Sequence, residues 1–176
     1  MASQPVGTGL KLVMGFVRSL FPLVPRITTD QLEVMMADKS VSRRLVILDT
    51  REPEEIQVSH LPNSISVNPN LKDMSELLSV INKAKGGPEE QTMVVMYCAV
   101  GYRASIMTRR LMKELAKPEN RETRSNIMAC NLEGSIFKWA NEGKDMIDGK
   151  EGKRTKMVHG VDRKWGKLLF PDIVNK

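Results

Sequence analysis

The 176-residue chain has only two cysteines, Cys98 and Cys130, too few for a disulfide framework. It contains no C-x-x-C pair and no Cys/His spacing of the zinc-binding kind, so neither a structural metal nor another cofactor is expected. Long hydrophobic runs are missing too: nothing approaches the roughly 18 apolar residues that cross a bilayer. No internal repeat and no low-complexity tract interrupts the chain. Acidic side chains are absent from residues 1–29, where Lys11, Arg18 and Arg26 give +3. Residues 144–176 hold nine basic and five acidic side chains, or +4, whereas residues 30–143 hold fifteen basic and sixteen acidic ones, or −1. The net charge of +6 therefore belongs to the flanks, and a nucleic-acid partner is not expected.

What remains suits one domain with extensions, and a hydrophobic content of 41% supplies a core. Leu10, Val13, Met14, Val17, Leu20 and Phe21 fall on one helical face, ended by Pro22. This acid-free amphipathic start reads as a helix packing on the domain or on a partner, with an import presequence or a membrane-surface helix as the alternatives. Thr28-Thr-Asp-Gln31 fits a capping box and predicts a helix to about Ala37. Strands are expected at Arg44–Asp49, Ser64–Val67, Thr92–Cys98 and Asn126–Asn131. Helices are expected at Asp73 to about Ala84, closed by Gly86-Gly-Pro88, at Arg103 to about Ala116, and at Ser135–Glu142. Residues 117–124 read as a polar surface connection. The alternation predicts an α/β fold with a mostly parallel sheet covered on both faces, and ligands beyond the carboxyl ends of its strands. Residues 144–157 read as a loose linker, followed by a segment with Trp165, Leu168, Leu169 and Phe170 that docks back. The resulting division is an extension over 1–25, a domain over 26–143 and a basic C-terminal extension over 144–176.

Cys98 stands at one of those strand ends. The run Met93-Val-Val-Met-Tyr97 leads into Cys98-Ala-Val-Gly-Tyr-Arg103 and then into a helix. Unpaired amides at a helix start, together with the helix dipole, favour an anion there and a nucleophilic thiolate. Gly101 permits a positive φ, so that the amides of Ala99, Val100, Gly101 and Tyr102 can fold around one small anion. Arg103 adds a fixed charge and a planar fork of donors. Cys130 reads as a plain buried thiol, and the twelve methionines as core filling.

Three segments in register resemble the rhodanese (sulfurtransferase) family. Ile47-Leu-Asp-Thr-Arg-Glu-Pro-Glu-Glu-Ile-Gln-Val-Ser-His-Leu-Pro-Asn-Ser64 is similar to its D-x-R-x-x-x-E…GH-I-P-G-A element. Val95-Met-Tyr-Cys-Ala-Val-Gly-Tyr-Arg-Ala-Ser105 is similar to its C-x-x-G-x-R loop, and Asn131-Leu-Glu-Gly-Ser-Ile-Phe-Lys-Trp-Ala140 to its L-x-G-G-x-x-x-W ending. Ser59, Asn63, Ser64 and Ser135 depart from the pattern, and they are read as altering structural turns rather than the cysteine loop. The resemblance implies a rhodanese-like three-layer α/β/α fold with a central, mostly parallel sheet. It also implies a Cys98 persulfide that takes sulfur from thiosulfate or a persulfide donor and passes it to cyanide or a thiol. The implied partners are a small anionic sulfur donor and a thiol acceptor, either a small thiol or a thioredoxin-like protein; the amphipathic N-terminal helix, which lies outside the resemblance, offers a membrane surface as a further one. Asp49, Arg51 and His60 are expected to give structural support, with Arg51 pairing to a following Glu. His159 has no partner suggested by sequence.

Two alternatives stand beside this reading. One is a non-catalytic binding module of the same fold, disfavoured by the intact Cys98 and Arg103. The other is a cysteine-dependent phosphatase or arsenate reductase. Dual-specificity phosphatases use C-x5-R, whereas here four residues separate Cys98 from Arg103, and Tyr97 rather than His precedes the cysteine. A cytoplasmic location is expected, with a mitochondrial one as the alternative.

Overall fold

The computed structural model describes residues 7–42, 44–85 and 90–175. The chain runs through α1 (Thr8–Leu20), β1 (Arg26–Ile27), α2 (Thr29–Ala37), α3 (Lys39–Ser42), β2 (Leu45–Asp49), α4 (Pro53–Val58) and β3 (Ser64–Ser66). It continues through α5 (Met74–Ala84), β4 (Thr92–Tyr97), α6 (Tyr102–Leu115), α7 (Arg121–Asn126), β5 (Ile127–Leu132) and α8 (Ser135–Asn141). Four two-residue strands follow: β6 (Met146–Ile147), β7 (Arg154–Thr155), β8 (Val158–His159) and β9 (Val174–Asn175). The expected capping box is formed: Thr28 Oγ1 accepts the Gln31 N–H, and the Gln31 side chain accepts the Thr28 N–H.

The first five strands form one sheet in the order β1-β5-β4-β2-β3, with every pairing parallel. Parallel strands need crossovers and are buried on both faces, which is why β2 and β4 read as near-continuous apolar runs. Successive side chains alternate between the faces. Ile47, Val95, Tyr97, Cys130 and Leu132 pack to one side with Leu10, Met14 and Leu32, where α1, α2 and α8 lie. Val46, Leu48, Val94, Met96 and Ala129 pack to the other, with Leu77 and Ile81 of α5 and Met107 and Leu111 of α6. The α/β/α layering is the one the alternation predicts.

Four expectations change. The sequence predicts no strand at β1: two residues are too short for any periodicity, and only pairing with Asn131 and Leu132 makes them a strand. Residues 117–124 lie at the surface as expected, but they carry a 3-10 turn (Pro118–Asn120) running into α7. Residues 144–157 are not a loose linker. Met146 is fully buried, β6 pairs with β7, and Ile147 exchanges both backbone hydrogen bonds with His60 at 2.9 Å. Finally, α1 buries Leu10, Met14 and Val17, with Phe21 just beyond, but leaves Leu20 43% exposed. The expected Gly86-Gly-Pro88 helix stop lies outside the described residues.

Gly149, in the β6–β7 turn, shows how tightly that hairpin is seated. A Cβ there would sit 2.2 Å from the Ile56 carbonyl oxygen and 2.7 Å from Gln57 Cα, both backbone atoms of α4. Gly149→Ala must lift the turn off α4, and a loss of about 1–3 kcal/mol is expected from the overpacking, read as a lower urea midpoint.

Candidate active site

Cys98 follows β4 and precedes α6, so it sits at the carboxyl edge of the sheet beside the ends of β2 and β5. The residue is 1% exposed. Gly101 caps α6 with φ +101°, a conformation closed to ordinary side chains, and its N–H points back at Cys98 Sγ, 3.1 Å away. A Cβ on Gly101 would also come within 3.1 Å of Asn131 Nδ2. Behind the loop, the first-turn amides of α6 have no acceptors within the helix. The local sequence thus aims the Gly101 N–H at the sulfur and places the start of α6 beside it.

Helix α8 clamps the loop from its other side. Ser135 Oγ accepts the Cys98 N–H at 3.1 Å and donates to the Leu132 carbonyl at 3.1 Å. The Ile136 and Phe137 amides donate to the Cys98 and Ala99 carbonyls at 3.2 and 3.0 Å. Ser135 and Asn63 both take left-handed backbone, φ +51° and +59°, the region that favours the glycine the resemblance leads one to expect at both places. The expectation that Ser135 alters only a turn is corrected: its hydroxyl binds the cysteine's own amide.

Arg103 reaches across to α4, where Nη1 and Nη2 donate to the two carboxylate oxygens of Glu55 at 2.7 and 2.8 Å. Burial alone would lower the Arg103 guanidinium and raise the Glu55 carboxyl. The pair reverses both, with help from the Cys98 sulfur near Arg103 and from the Glu52 N–H and Arg51 near Glu55. A bidentate pair of this kind fixes the plane of the fork as well as its charge. Glu55, the E of D-x-R-x-x-x-E, reads from the sequence as one of several structural carboxylates, and only its pairing with Arg103 brings it into the site.

Arg51 does not pair with a following Glu side chain. Its Nε and Nη2 donate to Asp49 at 2.9 and 2.7 Å, and Nη2 also donates to the Ser59 carbonyl at 2.7 Å. Ser59 and Asp49 converge there because α4 turns the chain back over the end of β2, and Glu55 is drawn off by Arg103. The Tyr97 hydroxyl completes the network, donating to Asp49 at 2.5 Å and accepting the Leu61 N–H at 3.0 Å. Burial, then the Asp49 charge, push the Tyr97 phenol well up, so it stays a neutral donor. This buried cluster holds the residue immediately before Cys98.

The remaining candidates are dispersed. His60 shares its Nδ1 with the Leu61 carbonyl at the turn into β3, away from the sulfur. His159 Nδ1 accepts the Val161 N–H in the C-terminal segment. Cys130 packs on the opposite face of the sheet from Cys98, and burial pushes its thiol up to about 12, leaving it inert. Ala99 and Val100 are buried in the loop, while Tyr102 is 45% exposed and meets the Phe21 ring edge-on at 5.6 Å. No cluster of metal-ligating side chains occurs among the described residues, and no helix there is long and apolar enough to cross a membrane. Cys98 and Arg103 line a cleft of about 550 Å³ whose other walls are α1 and the C-terminal segment.

The fold recurs in solved structures. A thiosulfate sulfurtransferase from Pseudomonas aeruginosa matches with a TM-score of 0.55 and 20% identity, over 92% of this chain and 27% of that one. A Bacillus halodurans protein matches with a TM-score of 0.54 and 14% identity, over 88% and 96%. A rhodanese-related protein from Thermoplasma volcanium matches with a TM-score of 0.50 and 19% identity, over 70% and 98%. No curated protein matches the sequence closely. The rhodanese-like domain family, by contrast, matches residues 28–142, spanning α2 through α8 and including the Cys98–Arg103 loop. With that match over most of its length and the parallel sheet beneath it, the chain belongs to the rhodanese-like family.

Proposed function

We propose that the protein is a sulfurtransferase that carries a sulfane sulfur as a Cys98 persulfide. The observation that carries this reading is the short loop itself: four residues between Cys98 and Arg103, with the Gly101 N–H 3.1 Å from Sγ. The Cys98 thiolate attacks the outer sulfur of thiosulfate, an S–S bond forms to Sγ, and sulfite leaves with the bonding electron pair. Cyanide or a thiolate then attacks the outer sulfur of the persulfide and returns Cys98 as thiolate. The persulfide is anionic, and loop amides aimed at it need no reorganisation during transfer. A C-x5-R loop, one residue longer, would open the nest toward a phosphoryl group with three equatorial oxygens.

Thiocyanate production from thiosulfate and cyanide tests the proposal. The expected result is turnover that falls by on the order of 10³-fold or more in Cys98→Ser, with a one-sulfur mass gain on Cys98 after thiosulfate alone. Thiocyanate formation indifferent to Cys98, or no persulfide with any sulfur donor, overturns it. Cys98-dependent hydrolysis of an aryl phosphate instead supports the phosphatase alternative.

A further inference from the structure

The cleft over Cys98 is built largely by parts of the chain outside the family domain. Val13, Phe16, Val17 and Leu20 of α1 form one wall, and Val161 and Trp165 of the C-terminal segment form another. These walls are fixed rather than loosely laid on. Helix α1 buries Leu10, Met14 and Val17, Arg18 pairs with Glu133 at 2.5 Å, and Leu168 packs within 3.1 Å of the Cβ position of Gly9. Apolar side chains nonetheless stay in water at the rim: Phe16 is 61% exposed, Leu20 43% and Trp165 39%. Uncovered apolar groups around a concave site are the mark of a ligand groove rather than of ordinary surface.

The size and charge of the cleft both argue against a small inorganic ion as the natural sulfur acceptor. About 550 Å³ lies within the roughly 300–1,000 Å³ of sites for organic ligands. The one charged lining side chain, Arg103, already has its charge matched by Glu55 through two hydrogen bonds. Little net field therefore remains for a highly charged thiol, while every apolar wall gains by covering a hydrocarbon body.

We infer that the sulfur acceptor is a small organic thiol with an apolar body, bound against Phe16, Leu20 and Trp165 with its sulfur directed at Cys98; this rests on the sulfurtransferase reading above. The acceptor thiolate attacks the outer sulfur of the Cys98 persulfide. A bond forms between the two sulfurs, the bond from that sulfur to Sγ breaks, and its electron pair stays on Sγ. An acceptor persulfide leaves and Cys98 thiolate is restored, with charge conserved and no oxidant or reductant consumed.

The test preloads Cys98 with thiosulfate, verifies the persulfide by intact mass, and follows its loss to 2-phenylethanethiol or to glutathione at equal thiolate concentration. Transfer to the apolar thiol is expected to be about tenfold faster or more, the gain from burying a phenyl-sized body. Phe16→Ser and Trp165→Ser, made separately, are each expected to shrink that ratio at least about threefold, the cost of losing part of one apolar wall. Equal rates with the two thiols, or a ratio that neither variant moves, overturns the inference and leaves the sulfurtransferase reading intact. Failure of any donor to form the persulfide overturns both.

Discussion

Arg51→Leu is expected to lower the unfolding free energy by about 3–5 kcal/mol, a large part of the 5–15 kcal/mol that holds a domain of this size together. The Arg51 side chain is fully buried, and its partner Asp49 is only 1% exposed. Leucine fills part of the space but leaves the Asp49 carboxylate with the Arg51 backbone N–H and the Tyr97 hydroxyl as its remaining donors. It also strips the Ser59 carbonyl of its 2.7 Å donor. The cost comes from the stranded charge rather than from the loss of a favourable pair, since two ions taken from water gain little net. The double variant Asp49→Asn with Arg51→Leu is therefore expected to recover a substantial share of the single-variant loss. Urea denaturation of the two singles and the double measures this, and strict additivity of the single losses would refute the stranded-charge account.

Glu55→Gln is expected to act on catalysis more than on stability. Glutamine keeps one acceptor for Arg103 but loses the second oxygen and the charge, so the fork is free to leave its plane beside Cys98. Loss of positioning at a reacting centre costs on the order of 10²-fold in kcat/KM, and that is the fall expected in thiocyanate formation. The stability change at neutral pH is smaller, about 1–2 kcal/mol, because the Arg103 side chain is 30% exposed and partly screened. It also has a definite pH dependence. The folded Glu55 carboxyl titrates below its ordinary value of 4.5, so the pair's contribution is complete above that value and disappears as the pH falls through the lower, folded value. The gap between the wild type and Glu55→Gln should thus be widest near neutrality and close in acid. Urea midpoints at pH 7 and at about pH 3 provide the comparison, with the exposed Glu54→Gln, expected within about 0.5 kcal/mol of the wild type, as the control.

Much of this fold is legible in the amino-acid sequence. The apolar runs of β2 and β4, the capping box at Thr28 and the helical spacings of α5 and α6 all rest on interactions within a few residues of one another. The same is true of the loop from Cys98 to Arg103, where a strand end, a glycine and a helix start define a nest of amides by local geometry alone. Such features are written in the order of residues because the forces that make them are short in sequence range.

Other features depend on contacts between distant segments. Nothing near Glu55 announces that it will hold Arg103, 48 residues away, instead of Arg51 close by. Likewise, Ser135 looks like a turn residue until α8 brings its hydroxyl to the Cys98 amide. The acid-free start of the chain reads as a packing helix, with a leader or a membrane anchor as the alternatives. Only its seating beside Val161 and Trp165 makes it a wall of the cleft over the sulfur. The sequence by itself determined the α/β class, the parallel sheet and the cysteine nest, since periodicity and turn chemistry act locally. The tertiary structure alone decided the charge pairing around the nest and the apolar cleft above it, because both arise where chain segments more than forty residues apart compete for the same partners and the same space.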